Sequence, residues 1–596
     1  DEEMADTTGP RLVSWMPGPE DAIPDTRQDM QRPGDPVVLN FDEPLDAESI
    51  ADGIVLDEGG TPLTTGDGTL EAKLDGTALV LNPQGGLKHG VDYTVQVGNS
   101  LTDLAGNGAN PQSLTFALPD VGDDSVLQRS PIALTTYPGY PCVTTGVNLS
   151  QDSHGQCVDA APDGPRGDEL PVTTMPEDRP IVVVFSQSMN LNSIRNGETF
   201  VVEKVDESGT VIEPVSGRLE KNNQRIRFYP DKPWEIDALY RYTLASADQG
   251  QCQAGTTPSF ICGENRLALE TDLLVDPERS GGPDMSIYFR GTKAADTVFT
   301  PLRNLPIRDT NSNYLVDCGT LGGEDCLEPF NHSTDGGDGF LPSANAAKLA
   351  VIGQQADALG IAVGASVGCP ADESCPRNKF IYQTYGLNTE VLGPKKDSDG
   401  NIVGVRVLLY PTMLATTSAS VFMDGFGEQA TGPQILRMRY GTPTEDNPMG
   451  LVEGTIIEGD DGAPIFKTTA ELTLDAPNLQ LPIAEALEHN LYSKDFTLEL
   501  KGPISFFDDG RMQIVQISSN APPINVNVNV TVPILNEFLS YSACVEERGF
   551  EGIFTCLVDS STETERGDIS IPLEIPEQGV YLNFISNPIK EIPAEY

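Results

Sequence analysis

The chain has 596 residues, with 37 Lys and Arg against 89 Asp and Glu, a formal net charge of −52. A surface this acidic repels phosphate backbones and anionic headgroups, which excludes nucleic acid as a partner, and the length exceeds one compact core and implies about four domains at ~150 residues each. The 58 Gly and 47 Pro break helices at short intervals and favour short strands joined by turns, while 38% hydrophobic and only 21% charged residues describe a chain that folds.

Residues 1–9 (DEEMADTTG) read as a flexible acidic tether. No run approaches ~18 uncharged apolar residues, so no transmembrane segment is expected. A signal peptide is expected to have been removed ahead of Asp1, and whether a lipid anchor preceded it stays open. Further on, Pro36 to Ile50 (PVVLNFDEPLDAESI) repeats as Pro180 to Ile194 (PIVVVFSQSMNLNSI). Each copy is a β-branched strand ending in Phe41 or Phe185, then a polar turn, then Leu45 or Met189 and a Ser-Ile pair. Leu79 to Pro83 matches Ile226 to Pro230, and Tyr93 to Val95 matches Tyr242 to Leu244, at offsets of 147 and 149 residues against 144 for the first match. Period-two alternation such as Tyr93-Val95-Val97, with turn signals between, predicts antiparallel sandwiches.

These segments, with the loop Asp103-Leu104-Ala105-Gly106-Asn107, resemble the bacterial Ig-like domains that occur in tandem on secreted and cell-surface proteins. The resemblance covers residues 10–120 and 125–280, the second with disulfide-bearing insertions. It implies spacers or adhesive modules at a bacterial surface. The Asp103–Asn107 loop itself reads as a tight turn in which Gly106 or Asn107 supplies positive φ.

Residues 281–390 read as a loop-rich, disulfide-bearing segment, in which Ala344 to Ala358 fits a helix or two short strands equally well. Residues 391–596 read as one antiparallel β domain, with D-G hairpin signals at Asp399-Gly400, Asp461-Gly462 and Asp509-Gly510. Within it, Ile524 to Ile534 alternates Asn and Val and reads either as a half-buried sandwich strand or as an exposed edge for pairing with another chain; the closing run Gly579 to Ser586 is a second candidate edge. The fold class expected is all-β and multidomain: two Ig-like β-sandwiches, then a large antiparallel β-rich C-terminal domain.

The ten cysteines fall into five close pairs, Cys142 with Cys157, Cys252 with Cys262, Cys318 with Cys326, Cys369 with Cys375, and Cys544 with Cys556. Five local disulfides and an oxidising compartment are expected. Zinc is disfavoured, since no CxxC occurs and there are only four His. Asp309, Asn311, Asn313 and Asp317 take positions 1, 3, 5 and 9 of a calcium loop, although Tyr314 replaces its Gly and Thr320 its Glu; a structural Ca²⁺ is expected there, against a solvated turn. Gly364 to Gly368 matches G-x-S-x-G, but His489 alone lies downstream and no α/β alternation surrounds Ser366, which is expected in a turn beside the Cys369–Cys375 ring.

The function expected is that of a secreted or cell-surface, non-enzymatic structural or adhesive protein. It would act through inter-chain or inter-domain β surfaces as a spacer, an adhesin or an assembly subunit, with other chains or surface components as partners and a homo-oligomer or filament as one form. Two alternatives stand beside it: a secreted serine hydrolase using Ser366, and a carbohydrate- or lipid-binding module in the C-terminal domain. Exposed aromatics or an apolar groove would be the evidence for the last, and two Trp in the whole chain disfavour a sugar platform.

Overall fold

The structure, a computed structural model, describes residues 6–17, 34–118, 129–160, 168–304, 333–334, 340–342, 345–352, 355–356, 362–363, 365–368, 380–423, 427–477, 479, 487–489, 491, 493–507, 509–531 and 566–588. It is all-β and multidomain.

In the first sandwich, Leu12–Met16, Val37–Phe41, Ala78–Pro83 and Leu70–Asp75 form one sheet, in that order. The facing sheet is Thr61–Leu63, Ile54–Glu58, Asp92–Val97 and Gln112–Ala117. Val37, Leu39, Phe41, Tyr93, Val95 and Phe116 are buried between them, each Val, Leu or Phe contributing roughly 1.5–3 kcal/mol by leaving water. The second sandwich repeats this order with Ala133–Tyr137, Ile181–Phe185, Arg225–Pro230 and Gly217–Asn222 facing Val211–Pro214, Phe200–Val205, Leu239–Leu244 and Met285–Thr292; Thr173–Pro176 is added in parallel beside the last. The internal repeat of the sequence is therefore a repeat of topology. Even the bridge from Leu45 to Asp103 recurs, as Met189 to Gly263. Asp103 Oδ1 accepts from the backbone N–H of Ala105 and of Asn107, both at 2.8 Å, and Gly106 takes φ of +88°, which is the tight turn expected.

Two expected boundaries move. Residues 6–9 are no tether: Asn107 Nδ2 donates to the Asp6 carbonyl, and a Cβ on Gly9 would meet the Gly108 carbonyl oxygen at 1.9 Å. The second sandwich runs on to Thr292, and the next domain begins at Val298 rather than at residue 391.

That domain is a closed antiparallel barrel. Val298–Asn304 pairs with Gly386–Lys396, which pairs with Ile402–Leu409, and the ladder continues through Val452–Glu458, Pro464–Asp475, Lys494–Phe506, Met512–Ser518 and Val580–Ser586 back to Val298–Asn304. The wall also forks. Beyond the reach of Val452–Glu458, the strand Pro464–Asp475 pairs with Ile435–Met438, and a second circuit runs through Met413–Thr416, Ile381–Thr384 and Ala346–Ala347 to Val580–Ser586. Four long strands are thus shared, and each half of the remaining wall has its own set of four.

The ambiguous stretch 344–358 supplies short strands at Ala346–Ala347, Ala350–Val351 and Gln355–Ala356, and no helix among its described residues. Gly400, Gly462 and Gly510 all take positive φ, as their D-G hairpins require. Of the two readings of the Asn-Val run the half-buried strand is the one observed: Pro523–Thr531 pairs along its length with Arg566–Glu574 and, on its other side, through residues 528–530 with Leu487–His489, while the candidate edge Val580–Ser586 lies inside the barrel wall. Ile524 and Val526 are buried and Asn525 is exposed, so the alternation serves a half-buried internal strand.

Candidate functional site

Period-two alternation turns one face of each barrel strand inward. Phe466, Thr468, Ala470 and Leu472 on one strand, and Phe496, Leu498 and Leu500 on its neighbour, face a common interior. There they enclose a cavity of about 80 Å³, lined by aliphatic and aromatic side chains with few polar exceptions: Gln383, Tyr385, Thr468 and Gln516. At roughly 10–15 Å³ per water-sized group this is room for about five to eight such groups, the size of a methylene chain of that length. An empty space of 80 Å³ destabilises a core by ~2 kcal/mol at about 24 cal/mol per Å³, a cost that packing would ordinarily remove.

Both sandwiches dock on this barrel. The first inserts Asn40, whose Nδ2 donates to Asp509 Oδ2 at 3.3 Å, and Met16, whose sulfur accepts from Arg511 Nη1 at 2.8 Å; Arg511 is 1% exposed. Arg511 Nε also donates to Asp509 Oδ2 at 2.8 Å, so the buried charge is paired. The second sandwich covers the fork. Tyr140 donates to the carbonyls of Thr412 and Met438 at 3.3 and 3.2 Å, and Thr412 Oγ1 donates to the Leu134 carbonyl at 2.8 Å. Nearby, the Tyr137 ring stacks on Phe299 at 4.1 Å, Arg179 pairs with Glu390, and Tyr410 donates to Glu390 at 2.9 Å. Burial pushes the Tyr137 phenol up to about 12 despite the neighbouring Arg179. The sandwiches are therefore packed against the barrel wall, an arrangement unlike tandem spacers joined end to end.

Of the expected disulfides, Cys142–Cys157 and Cys252–Cys262 are formed. Cys318, Cys326, Cys369, Cys375, Cys544 and Cys556, and the calcium-loop residues Asp309, Asn311, Asn313 and Asp317, lie outside the described residues. Ser366 corrects the expectation of a turn: it is the middle residue of the strand Ala365–Val367, paired opposite Phe422. A nucleophile elbow needs a sharp strand-to-helix turn at that position. His489 ends a strand in a different sheet. Sequence reading missed a cluster in the first sandwich, where carboxylate oxygens of Asp6, Glu43 and Asp103 lie within 4.8 Å of one another. Desolvation first, and then Asp6 and Asp103, raise the Glu43 carboxyl above its usual range.

Residues 6–117 match the family described as bacterial Ig-like domain. That places the first sandwich, and by topology the second, in a fold that suits a cell-surface protein, and among the described residues no helix is long and apolar enough to cross a membrane. A curated relative, "Alkane uptake protein B" of Marinobacter nauticus, is 51% identical over 624 aligned positions, covering 99% of this chain and 54% of that protein. The chain thus spans about half the length of the curated relative it matches. A crystal structure of the S-layer protein rSbsC(31-844) aligns at 10% identity over 80% of this chain and 65% of that one, with a TM-score of 0.14, too low to carry an argument.

Proposed function

We propose that the barrel is the working part of the protein and that it holds an apolar chain, taking up hydrocarbon at the cell surface as the name of the relative suggests for that protein. The observation that carries this is the carbon-walled cavity inside the barrel, where a packed core would be expected. The two sandwiches are its supports and its attachment to the surface. This is the lipid-binding alternative of the sequence reading, made specific. The adhesive and assembly reading has less support, because Val580–Ser586 is paired on each side and Pro523–Thr531 is paired along its length on one side and at residues 528–530 on the other. We read the protein as a binder and not a hydrolase, a reading favoured by the mid-strand position of Ser366. A structural Ca²⁺ at Asp309, Asn311, Asn313 and Asp317 belongs to the proposal on sequence spacing alone; chelation should lower the melting temperature and Asp309→Asn should remove that response.

The test is headspace partitioning of n-octane. The protein should retain the hydrocarbon at a fixed stoichiometry, and Ala470→Leu, which fills the cavity from a wall position 4% exposed, should lose retention with its melting temperature kept or raised. Absence of retention by the unaltered protein would sink the proposal.

A further inference from the structure

The three D-G hairpins that turn at Gly400, Gly462 and Gly510 lie at one end of the barrel, and the barrel interior continues past the cavity to that end. Alternate residues of a strand share a face, and so do directly opposed residues of antiparallel neighbours. From the cavity wall at Leu302, the inward face therefore runs on to Thr300 and Val298, the last opposite Val391. From Leu409 it runs through Val407 and Val405 to Val403, and Val405 stands opposite Ile456, itself opposite Phe466 of the wall. Ile514 of the wall stands opposite Ile504, and one alternation further on Met512 stands opposite Phe506.

Along this path the apolar side chains change from buried to exposed. Val407, Ile504 and Met512 are buried and make a packed layer next to the cavity. Beyond it Val298, Val403 and Phe506 are 62%, 44% and 65% exposed, so the opening is rimmed with carbon in contact with water; Glu458, opposite Pro464, is its charged member. The outward-facing neighbours on two of these strands are covered instead. Phe299 stacks on Tyr137 of the second sandwich, and Phe507 packs against the cluster of Met16, Val38 and Val80 from the first. On these strands the fold thus buries apolar side chains on the outside of the barrel end and leaves those on the inside open, where solubility alone would favour polar ones.

We propose that this end is the entrance of the barrel: one neutral hydrocarbon chain passes between Val298, Val403 and Phe506, displaces the side chain of Met512 in the packed layer, and enters the cavity. Met512 suits that step, being unbranched and able to change shape about three rotatable bonds. The exposed rim shields part of the chain from water while it is still outside the cavity, which lowers the barrier to entry and to exit alike and leaves the equilibrium between them unchanged. The inference rests on the reading that the barrel binds an apolar chain, and adds to it the route by which the chain arrives.

The test follows the rate at which the full chain takes up n-octane from a headspace and releases it into a purged one. Val298→Asp combined with Phe506→Asp sets two carboxylates in the opening, at positions that water already reaches, so the melting temperature should stay where it is. Uptake and release should both slow about tenfold or more, with the amount retained at equilibrium little changed. Val211→Asp combined with Ile212→Asp, at exposed apolar positions on the outermost strand of the second sandwich, should exchange octane as the parent does. If the first variant melts lower, Val298→Cys carrying a bulky maleimide gives the same readout against the parent treated with the same reagent. Exchange as fast as the parent's in a variant with the parent's melting temperature would overturn the entrance, as would equal slowing in the control. A changed sedimentation coefficient with unchanged exchange would mean that the opening seats another copy of the chain, and would overturn it too. If the parent retains no octane, the barrel reading falls and the entrance with it, before any variant is compared.

Discussion

Thr135 of the second sandwich lies against Gly386 of the barrel so closely that a Cβ on Gly386 would stand 2.8 Å from Thr135 Cγ2 and 3.4 Å from the Leu302 carbonyl oxygen. Gly386 also lines the cavity. A single backbone without a side chain thus separates the interior of one domain from the surface of another, at the point where Ile381–Thr384 passes into Gly386–Lys396 and the wall forks. Gly386→Val should destabilise the chain by about 1–3 kcal/mol through overpacking. In Gly386→Ala, the added Thr135→Ser change removes the methyl group that is met first, so urea denaturation of the pair should recover a large part of the loss. Strict additivity of the two substitutions would show that the contact is slack.

Arg437 joins the same two domains from the other side. Its Nη1 donates to Asp168 of the second sandwich at 3.0 Å and its Nε to Asp475 of the barrel at 2.7 Å, with Arg437 and both acids buried. Arg437→Met leaves two buried carboxylates without their cation and should cost about 3–5 kcal/mol. Adding Asp168→Leu and Asp475→Leu should return most of that stability, because an apolar cluster needs no cation. A single variant as stable as the parent in urea would contradict the pairing.

How much of this was legible in the sequence depended on the range over which each signal acts. The sandwiches were legible because a strand such as Val37–Phe41 carries its own pattern and recurs as Ile181–Phe185. The D-G turns and the Cys142–Cys157 and Cys252–Cys262 rings were legible for the same local reason. The barrel was not. Its closure rests on the pairing of Leu302 with Ser586, a contact that no short-range pattern announces. Nor does alternation distinguish a strand facing a sandwich core from one facing a barrel cavity: Phe466-Thr468-Ala470-Leu472 would read the same in either. The closing strand Val580–Ser586 was misjudged as an edge because an edge is defined by the absence of a neighbour, and its neighbours Val298–Asn304 and Ala346–Ala347 lie more than 200 residues away in sequence.

Glu270 gives the protein a stability that falls toward alkaline pH. It is 3% exposed, its Oε2 has no hydrogen-bond partner, and desolvation first, then the side chain of Asp272, push its carboxyl up to about 10, with Asp276 adding to the effect. The folded pKa lies above the unfolded one, so the neutral form is the native form, and its stabilising contribution is complete below about 4.5 and declines as pH rises toward about 10. At pH 7 the cost already amounts to about 3 kcal/mol at 1.36 kcal/mol per unit. Glu270→Gln, uncharged at every pH, should raise the urea midpoint at pH 8 more than at pH 5. Equal gains at both values would mean that the carboxyl is not held neutral.

His154 makes the opposite prediction at acid pH. It lies within the Cys142–Cys157 ring and ties that ring to the sandwich: its Nε2 accepts from the Tyr288 N–H at 2.9 Å, and its Nδ1 lies 3.0 Å from Thr144 Oγ1. An Nε2 that accepts must be unprotonated, so the native imidazole is the neutral Nδ1–H tautomer, donating to the Thr144 hydroxyl. Protonation would turn Nε2 into a second donor facing the Tyr288 N–H, in a site 5% exposed. Burial accordingly lowers the imidazole from 6.5 to about 4. Since the folded value lies below the unfolded one, the stability that depends on neutral His154 is fully present above pH 6.5 and is lost as pH falls toward 4. The full span corresponds to about 3 kcal/mol at 1.36 kcal/mol per unit. His154→Gln can accept from Tyr288 through Oε1 without titrating. The urea midpoint of the parent should therefore fall relative to that of the variant between pH 7 and pH 4.5, while carboxylates common to both cancel. Parallel curves across that range would place the imidazole in contact with water and remove it from the link between the disulfide ring and the strand Met285–Thr292.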